Sequence, residues 1–368
     1  MSYHPKQDTQ LNKKGKSMKR FTHKISLFAI FLFGSTGLFA QANFQFTIQS
    51  WASYTTYDQY IMGADSSGLE LDETTTQIGN GIRRARLRGK MTKGKVTAFV
   101  QYDALSSYVL DAQIDYKFSD NLKVRMGRFV GAGSQAGGNT SHTAIDFAER
   151  SIVGRKWSSA VGRPDYRTFG MAVIGKFSRF NYQVMANNGD SNLNLKPYGT
   201  KSGGSDEDTG AIPQLDFAVS TKMGNGINVG LHYGLPNEDR INVSSATGFF
   251  YFKPSDYTGG KFRSKFDFAR VVNHANAEDE VSLGWSLGGF YLLSEKIELG
   301  AGYQTWDKNV DVDKDAFGNI ILAATYSPDP DHWKDSLFKL VATFKTAEAD
   351  DEPLDPMVIH LVWQAYMH

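Results

Sequence analysis

Basic residues at alternate positions are the most chemically distinctive feature of this chain. Residues 81–90 read Gly-Ile-Arg-Arg-Ala-Arg-Leu-Arg-Gly-Lys. Because side chains on a β-strand alternate between its two faces, every second residue of this segment would lie on the same face. One face would carry Arg84, Arg86, Arg88 and Lys90. The other would carry Arg83, Ala85, Leu87 and Gly89. Neighbouring guanidinium groups repel unless water or an anion screens them, so the segment predicts a strand with a wet, cationic face.

A second basic pair, Lys123 and Arg125, has the same alternating spacing. Guanidinium forks match phosphate oxygens, so these side chains together could form a track that favours anions. Three carboxylates allow a different interpretation, in which the same cations are paired across neighbouring strands. They are Asp103, Asp111 and Asp115. An anion track and a balanced polar wall are therefore both compatible with the sequence.

Alternation of apolar and polar residues recurs along most of the chain. Within residues 110–118, for example, Leu110 and Ala112 fall on an apolar face, whereas Asp111 and Gln113 fall on a polar one. Segments of about ten such residues match the length of a tilted strand that crosses a bilayer. Short connections also alternate with long ones such as 130–165 and 188–212. This rhythm is typical of an all-β, antiparallel up-and-down transmembrane β-barrel with short periplasmic turns and long extracellular loops.

The alternating segments give the number of strands. Thirteen are well defined, at residues 43–55, 80–91, 95–104, 109–118, 122–129, 166–176, 179–187, 213–223, 226–234, 282–292, 296–306, 335–346 and 356–367. Residues 317–326 have a less regular alternation and bring the number to 14. A weaker pair at 246–253 and 261–272 raises the total to 16. A barrel of about this size leaves an aqueous lumen rather than a packed core.

The first 40 residues have the pattern of an export signal that precedes the fold. Met18 begins a basic stretch, residues 25–33 are apolar but too short to span a bilayer, and small residues lead to Ala40. This is the arrangement of a cleaved secretory signal peptide, with residues 1–17 as an upstream segment. We therefore expect residues 41–368 to form one barrel domain in the bacterial outer membrane.

Removal of the signal changes the charge balance. Residues 1–40 hold seven Lys or Arg and one Asp, so 33 basic and 38 acidic residues remain, a net charge of −5. Any attraction for anions must then be local, and nucleic acid is excluded as a general partner. The chain has no cysteine and its eight histidines have no paired ligand spacing, so neither a cofactor nor a metal site is predicted.

Four stretches resemble the phosphate-selective porin O and P family of the bacterial outer membrane. They are Gly-Ile-Arg-Arg-Ala-Arg-Leu-Arg-Gly at 81–89, the strand pair at 98–126, Gly-Arg-Phe at 127–129 with Phe-Ala-Glu-Arg-Ser at 147–151, and Arg-Thr-Phe-Gly at 167–170 with Asn-Asn-Gly at 187–189. The resemblance covers residues 81 to about 190. It implies a 16-stranded, often trimeric barrel that passes small anions such as phosphate passively, with outer-membrane lipid and the barrel assembly machinery as partners.

The resemblance also implies that the third extracellular loop, residues 130–165, folds into the pore and constricts it. Its basic residues are candidates for the constriction. They are Arg150, Arg155, Lys156 and Arg163. In place of the family's proline-containing run, residues 130–138 read Val-Gly-Ala-Gly-Ser-Gln-Ala-Gly-Gly, which predicts a more flexible loop.

The interpretation as a channel predicts that the protein is not an enzyme, and two alternatives accompany it. One is a barrel enzyme, a lipase or protease, for which Ser141 and His142 supply a candidate nucleophile and base. The other is a surface adhesion scaffold whose long loops bind a partner. Conductance would distinguish the channel from both.

Overall fold

The computed structural model describes residues 42–62, 69–189, 213–238, 241–252, 261–275, 278–333, 335–347 and 357–367. The expected upstream segment and signal peptide at 1–40 lie outside these ranges. Within the described residues, no helix is long and apolar enough to cross a membrane.

Sixteen antiparallel strands close into a single barrel in which each strand pairs with its neighbours in sequence and β1 pairs with β16. The higher of the two strand counts is therefore confirmed. The strands are β1 Ala42–Met62, β2 Leu69–Lys93, β3 Val96–Asp103, β4 Tyr108–Ser119, β5 Leu122–Val130, β6 Arg167–Phe177, β7 Phe180–Asn187, β8 Gln214–Met223, β9 Ile227–Gly234, β10 Val243–Phe252, β11 Phe262–Asn273, β12 Glu280–Ser294, β13 Ile297–Asp307, β14 Phe317–Tyr326, β15 Ser336–Ala347 and β16 Met357–Met367.

The two ends of the barrel differ in their connections. Tight turns join β2 to β3, β4 to β5, β6 to β7 and β12 to β13, and all lie at one end, which we call the short-turn end. The opposite, long-loop end carries the connections after β5, β7, β9 and β13. The connection between β14 and β15, residues 327–335, departs from the expected rhythm because it is a longer loop at the short-turn end.

The outward face of the barrel is apolar. On β16, Leu361 and Trp363 point outward and are 53 % and 52 % exposed. The next residue, Gln364, points inward and is fully buried. Large exposed apolar residues recur in the same way on the other strands, for example Met126, Leu231 and Leu340. Exposed apolar side chains that alternate with buried polar ones are the inverse of a water-soluble sheet and match a lipid-facing surface.

Strand register departs from strict alternation at a few places. Gln101 pairs with Asp111 and Tyr102 pairs with Val109, so Leu110 occupies a β-bulge. Leu110 is 5 % exposed, and its carbonyl accepts a hydrogen bond from the Arg128 guanidinium. The sequence-based placement of Leu110 on the lipid face with Ala112 is therefore wrong, because a bulge inserts one residue and changes the side-chain direction.

The connection between β5 and β6, residues 131–166, lies inside the barrel and contains the helix α1, Ile152–Ala160. The Ser151 side chain caps α1 by accepting a hydrogen bond from the Gly154 backbone N–H at 3.2 Å. Two residues of its apolar face, Val153 and Trp157, are buried against the inner wall. Their cluster also contains Ile152, Val161, Ala269, Val271 and Trp306. We call residues 131–166 the inner loop.

Glycine lets the inner loop pack closely against itself and the wall. A Cβ at Gly133 would lie 2.2 Å from the Trp157 ring, and one at Gly131 would lie 2.1 Å from the Met185 sulfur. Across the lumen, a Cβ at Gly302 would lie 2.8 Å from the Phe147 ring. The glycine-rich run that predicts flexibility is instead a set of close contacts, since glycine alone admits neighbours at these distances.

Candidate functional site: the basic wall and the inner loop

The basic residues of β2 line one wall of the lumen. Cross-strand pairing sets Arg84 opposite Gln49, and it sets Arg86 opposite Thr47 and Asp103. Residues 82–93 contain no acidic residue. We call the set Arg83, Arg84, Arg86, Arg88 and Lys90 the basic wall.

Arg83 belongs to the basic wall even though strict alternation assigns it to the lipid face. Gln49 pairs with Arg84 but Ser50 pairs with Ile82, so the register shifts by one residue and Arg83 is the extra residue. Its guanidinium bonds Glu149 at 2.5 Å and lies 5.4 Å from the centre of the Trp51 ring. The sequence-based placement of Arg83 is wrong because a β-bulge turns two successive side chains to the same face.

Glu149 of the inner loop contacts the basic wall at the part nearest the long-loop end. It pairs with Arg83 and with Arg84, the latter at 3.2 Å. Burial opposes ionisation of Glu149, but the bonds and charges of Arg83 and Arg84 outweigh it, so the pKa of this carboxyl lies below its ordinary value. One carboxylate is thus shared by two guanidinium groups, which leaves positive charge in excess.

Toward the short-turn end, the arginines of the basic wall have fewer carboxylate partners. Arg86 pairs with Asp103 at 3.3 Å. Arg88 bonds the neutral Gln101 side chain at 2.6 Å and His142 Nδ1 at 2.9 Å. Burial and the charges of Arg88 and Arg86 lower the pKa of His142 well below its ordinary value, so its imidazole is neutral. Among the described residues, no carboxylate lies within 4.0 Å of the Arg88 guanidinium.

The remaining candidates for the anion track differ in their surroundings. Lys90 is exposed at the short-turn end of the wall. Lys123 and Arg125 both bond Asp115, at 2.8 Å and 2.7 Å, so two cations share one carboxylate. Both cations of this cluster are ion-paired, although they too outnumber their carboxylate.

The structure separates the four loop candidates. Arg150 bonds the Gly137 carbonyl, lies 5.0 Å from the Tyr166 ring centre and is close enough to Arg84 for their charges to interact. Arg155 and Lys156 lie on the exposed side of α1. Arg163 is 3 % exposed and bonds Asp216 at 2.6 Å, so it anchors the loop to β8 and does not face the lumen freely.

The middle of the inner loop is also anchored to the opposite wall, by contacts that the sequence does not reveal. Asp146 bonds Arg263 at 2.7 Å and Lys265 at 2.6 Å. Lys339 donates to the carbonyl of Ile145. Burial opposes ionisation of Asp146, but Lys265 and Arg263 outweigh it and hold the pKa of its carboxyl well below the ordinary value. The loop thus spans the lumen between Arg83–Arg84 and Arg263–Lys265.

Ser141 and His142 do not form a nucleophile–base pair. The Ser141 hydroxyl lies 3.0 Å from that of Thr143, and His142 Nδ1 faces Arg88. The structure therefore does not support Ser141 and His142 as the nucleophile and base of a barrel enzyme.

Comparison with solved structures gives the fold class. The chain is similar to an anion-selective porin from Comamonas acidovorans at 12% identity and TM-score 0.60, covering 89% of this chain and 99% of that one. It is similar to the outer membrane channel DcaP of Acinetobacter baumannii at 14% identity and TM-score 0.54, covering 89% and 97%. It is also similar to the trimer form of OmpT, an outer membrane protein of Vibrio cholerae, at 12% identity and TM-score 0.55, covering 89% and 99%.

These likenesses identify the fold as the 16-stranded barrel of outer-membrane porins. No protein-family model and no curated protein matches the sequence. The resemblance to the phosphate-selective porin O and P family is therefore carried by the motifs of the sequence alone.

Proposed function

We propose that this protein is a porin of the bacterial outer membrane, a passive diffusion channel for small hydrophilic solutes that favours anions. The observation that carries the proposal is the unequal charge of the basic wall, where Arg83 and Arg84 share one carboxylate and Arg88 has neutral partners. Fixed cations on a low-dielectric pore wall lower the barrier for anions.

The inner loop supports a selective rather than a wide pore. It crosses the lumen from Glu149, beside the basic wall, to Asp146, beside Arg263. The loop therefore narrows the lumen beside the basic wall. Arg150 is the loop candidate best placed to contribute there, and Arg155 and Lys156 are exposed on α1.

Phosphate is the solute that we propose first. Forked guanidinium donors match phosphate oxygens, and the motif resemblance to the porin O and P family points the same way. We further propose export through the signal peptide at 1–40, insertion by the barrel assembly machinery, and a homotrimer in outer-membrane lipid. The apolar outward face and a solved trimeric structure of similar fold support the membrane and the trimer. The transport function itself requires no catalysis.

Planar-bilayer recording under a tenfold KCl gradient tests the channel and its preference. The wild-type protein should give discrete conductance steps and a reversal potential of the sign for chloride, and added phosphate should reduce chloride current. The triple variant Arg84→Gln, Arg86→Gln, Arg88→Gln should shift the reversal potential toward the cation value. The matched control, Lys95→Gln, Arg179→Gln, Lys296→Gln, removes the same charge from the short turns and should shift it little.

Each part of the proposal can fail separately. Absence of conductance steps from folded protein contradicts the channel. A cation-type reversal potential contradicts the anion preference, and chloride current that phosphate leaves unchanged contradicts phosphate as a solute. An equal shift in the two triple variants would assign the selectivity to the total charge rather than to the basic wall.

A further inference from the structure

A serine, a histidine and an aspartate are hydrogen-bonded in series at the long-loop end of the barrel, away from the lumen. Ser244 Oγ lies 2.9 Å from His274 Nε2, and His274 Nδ1 lies 2.9 Å from Asp279 Oδ1. Ser244 is on β10, His274 follows the last residue of β11, and Asp279 precedes the first residue of β12. The three residues are brought together only by the pairing of these strands.

The hydrogen bonds define the roles that the three groups could take. In the tautomer that carries its proton on Nδ1, His274 donates a hydrogen bond from Nδ1 to the Asp279 carboxylate, and Nε2 accepts one from the Ser244 hydroxyl. Serine hydrolases of unrelated folds activate their serine in this way: a histidine base contacts the serine, and a carboxylate orients the histidine. Two hydrogen bonds to Asn242 fix the position of the histidine: the His274 N–H donates to the Asn242 carbonyl at 2.9 Å, and the Asn242 side-chain amide donates to the His274 carbonyl at 3.1 Å.

The orientation of Ser244 places this triad on the lipid side of the barrel. Ser245 pairs with Val271, which packs against α1 inside the barrel, so Ser244 points outward by alternation. Ser244 is 8 % exposed, whereas the side chains of His274 and Asp279 are 28 % and 58 % exposed. The base is thus open at the rim, and the nucleophile lies on the outer face of the barrel just below it.

An apolar depression begins next to Ser244 and runs along the outer surface toward the short-turn end. Ala246 and Gly248, the next outward residues of β10, lie in its floor. Its volume is about 510 Å³, and its walls include Phe217, Leu231, Tyr233 and Phe268. A second depression of about 560 Å³ continues past Gly248 to Phe250 and Phe266. From Ala246 to Phe250 the strand extends about 13 Å, enough for roughly ten carbons of an extended acyl chain.

A basic side chain, that of Arg270, lies beside the same depression. Arg270 is exposed on the outer face of β11, and its cross-strand partner is Ala246. Ser244 is two residues from Ala246, a separation of about 7 Å on a strand, so Arg270 is within reach of a group bound at Ser244. The described residues give Arg270 no ion pair. A guanidinium on an otherwise apolar surface suits the anionic head group of a lipid.

We propose that Ser244, His274 and Asp279 form a second functional site, a hydrolase for ester-linked acyl chains of anionic membrane lipids. Ser244 is the nucleophile, His274 is the general base and acid, and Asp279 is a positioning residue. The depression over Gly248 holds the acyl chain, and Arg270 binds the head group. This site is independent of the solute pathway, because it lies on the opposite face of the barrel wall.

The reaction balances with water as the only co-reactant. Ser244 Oγ attacks the ester carbonyl carbon while its proton passes to His274 Nε2. The carbon–oxygen bond to the lipid alcohol then breaks, and His274 returns the proton to that oxygen, which leaves an acyl-serine and a lysolipid. Water attacks the acyl-serine, gives one proton to His274, and releases the fatty acid as Ser244 regains its proton.

Purified full-length protein in phosphatidylglycerol vesicles tests the proposal. We expect release of fatty acid, measured by mass spectrometry, and a covalent adduct on Ser244 with a fluorophosphonate. Ser244→Ala and His274→Asn should each reduce fatty-acid release at least about a hundredfold. Ser264→Ala, which changes another outward-facing serine of the neighbouring strand, should leave it unchanged. Migration of the folded barrel on unheated gels shows that each variant has folded.

Two further variants separate the site from contaminating activity. Gly248→Leu fills the depression, where even a Cβ would lie 3.2 Å from the Leu231 side chain, so it should reduce hydrolysis of a palmitoyl ester and preserve that of a butyryl ester. Arg270→Gln should lower activity on phosphatidylglycerol relative to phosphatidylcholine. The proposal is overturned if folded wild-type protein forms no adduct on Ser244, or if Ser244→Ala releases fatty acid at the wild-type rate.

Discussion

Arg83 and Arg84 are neighbours in the chain, yet both side chains enter the barrel and bond the same carboxylate. Arg83 reaches Glu149 at 2.5 Å and Arg84 reaches it at 3.2 Å. The register shift opposite Gln49 and Ser50 makes this possible, since a bulge turns two successive residues toward one face. The basic wall therefore has one more guanidinium than strict alternation allows, and the inner loop is fixed to it at that point.

The bulge predicts that Arg83 contributes to selectivity as a lumen residue. Arg83→Gln should shift the reversal potential toward the cation value by an amount similar to that of Arg86→Gln, because each removes one positive charge from the pore wall. The measurement is the reversal potential of single variants under the same salt gradient. Leu87→Gln, on the lipid face, is the control and should not shift it; an unchanged potential in Arg83→Gln would place this residue outside the conducting path.

The anchor of the inner loop on the wall opposite the basic wall predicts a large effect of one carboxylate, Asp146. Asp146→Asn leaves the charges of Arg263 and Lys265 without their shared partner in a mostly buried cluster, and loss of one member of such a pair costs about 3 kcal/mol. We expect noisier open-channel current and faster proteolysis within residues 131–166. Asp311→Asn, in an exposed loop after β13, should change neither. Quiet current and an unchanged proteolysis rate in Asp146→Asn would show that the other loop contacts suffice.

The same two anchors predict the response of the loop to acid. Burial opposes ionisation of both carboxyls, but the neighbouring Lys and Arg residues lower the pKa values of Asp146 and Glu149 below the ordinary range. A carboxyl whose pKa is lowered in the folded state stabilises that state above its ordinary pKa, and the stabilisation is lost as the pH falls toward the folded value. The loop should therefore stay fixed from pH 7 to 5 and loosen only below about 4.

Hydrogen exchange of the backbone of residues 142–152, corrected for the intrinsic rate, measures this response at pH 7, 5 and 3. Glu149→Gln should already exchange faster than wild type at pH 7, because it removes the charge at one anchor. Loosening of the wild-type loop between pH 7 and 5 would be incompatible with the lowered pKa values.

The close contact between Phe147 and Gly302 predicts that a single added methyl group has a steric effect. A Cβ at Gly302 would lie 2.8 Å from the Phe147 ring, so Gly302→Ala must displace the loop or the strand at a cost of about 1–3 kcal/mol. The temperature at which the folded band disappears on gels should fall. Gly289→Ala, whose Cβ would meet its nearest neighbour at 3.7 Å on the outer face, is the matched control.

Rescue distinguishes this contact from a general loss of stability. Adding Phe147→Leu to Gly302→Ala shortens the side chain that meets the new methyl group and should restore part of the lost melting temperature. Additive losses in the double variant would mean that Phe147 and Gly302 do not share one contact.

The strands could be predicted from the sequence because their signal is local. Lipid outside and water inside impose a period of two on every strand, and the segment 317–326 matches β14 to the residue. The bulges at Arg83 and Leu110 escaped prediction, since a bulge inserts a residue without a distinctive residue type at these positions. Arg163 was a reasonable candidate by charge, but only the structure shows that Asp216 neutralises it.

The sequence by itself determined the barrel, its even number of strands and the presence of a cationic strand face, because each follows from the alternation of neighbouring residues. Tertiary structure alone decided which charges remain in excess, where the inner loop is anchored, and that Ser244, His274 and Asp279 meet. These outcomes depend on pairs such as Asp146–Arg263, which are 117 residues apart. Such pairs form only when the barrel closes, so they cannot be predicted from the alternation of residues within a single strand.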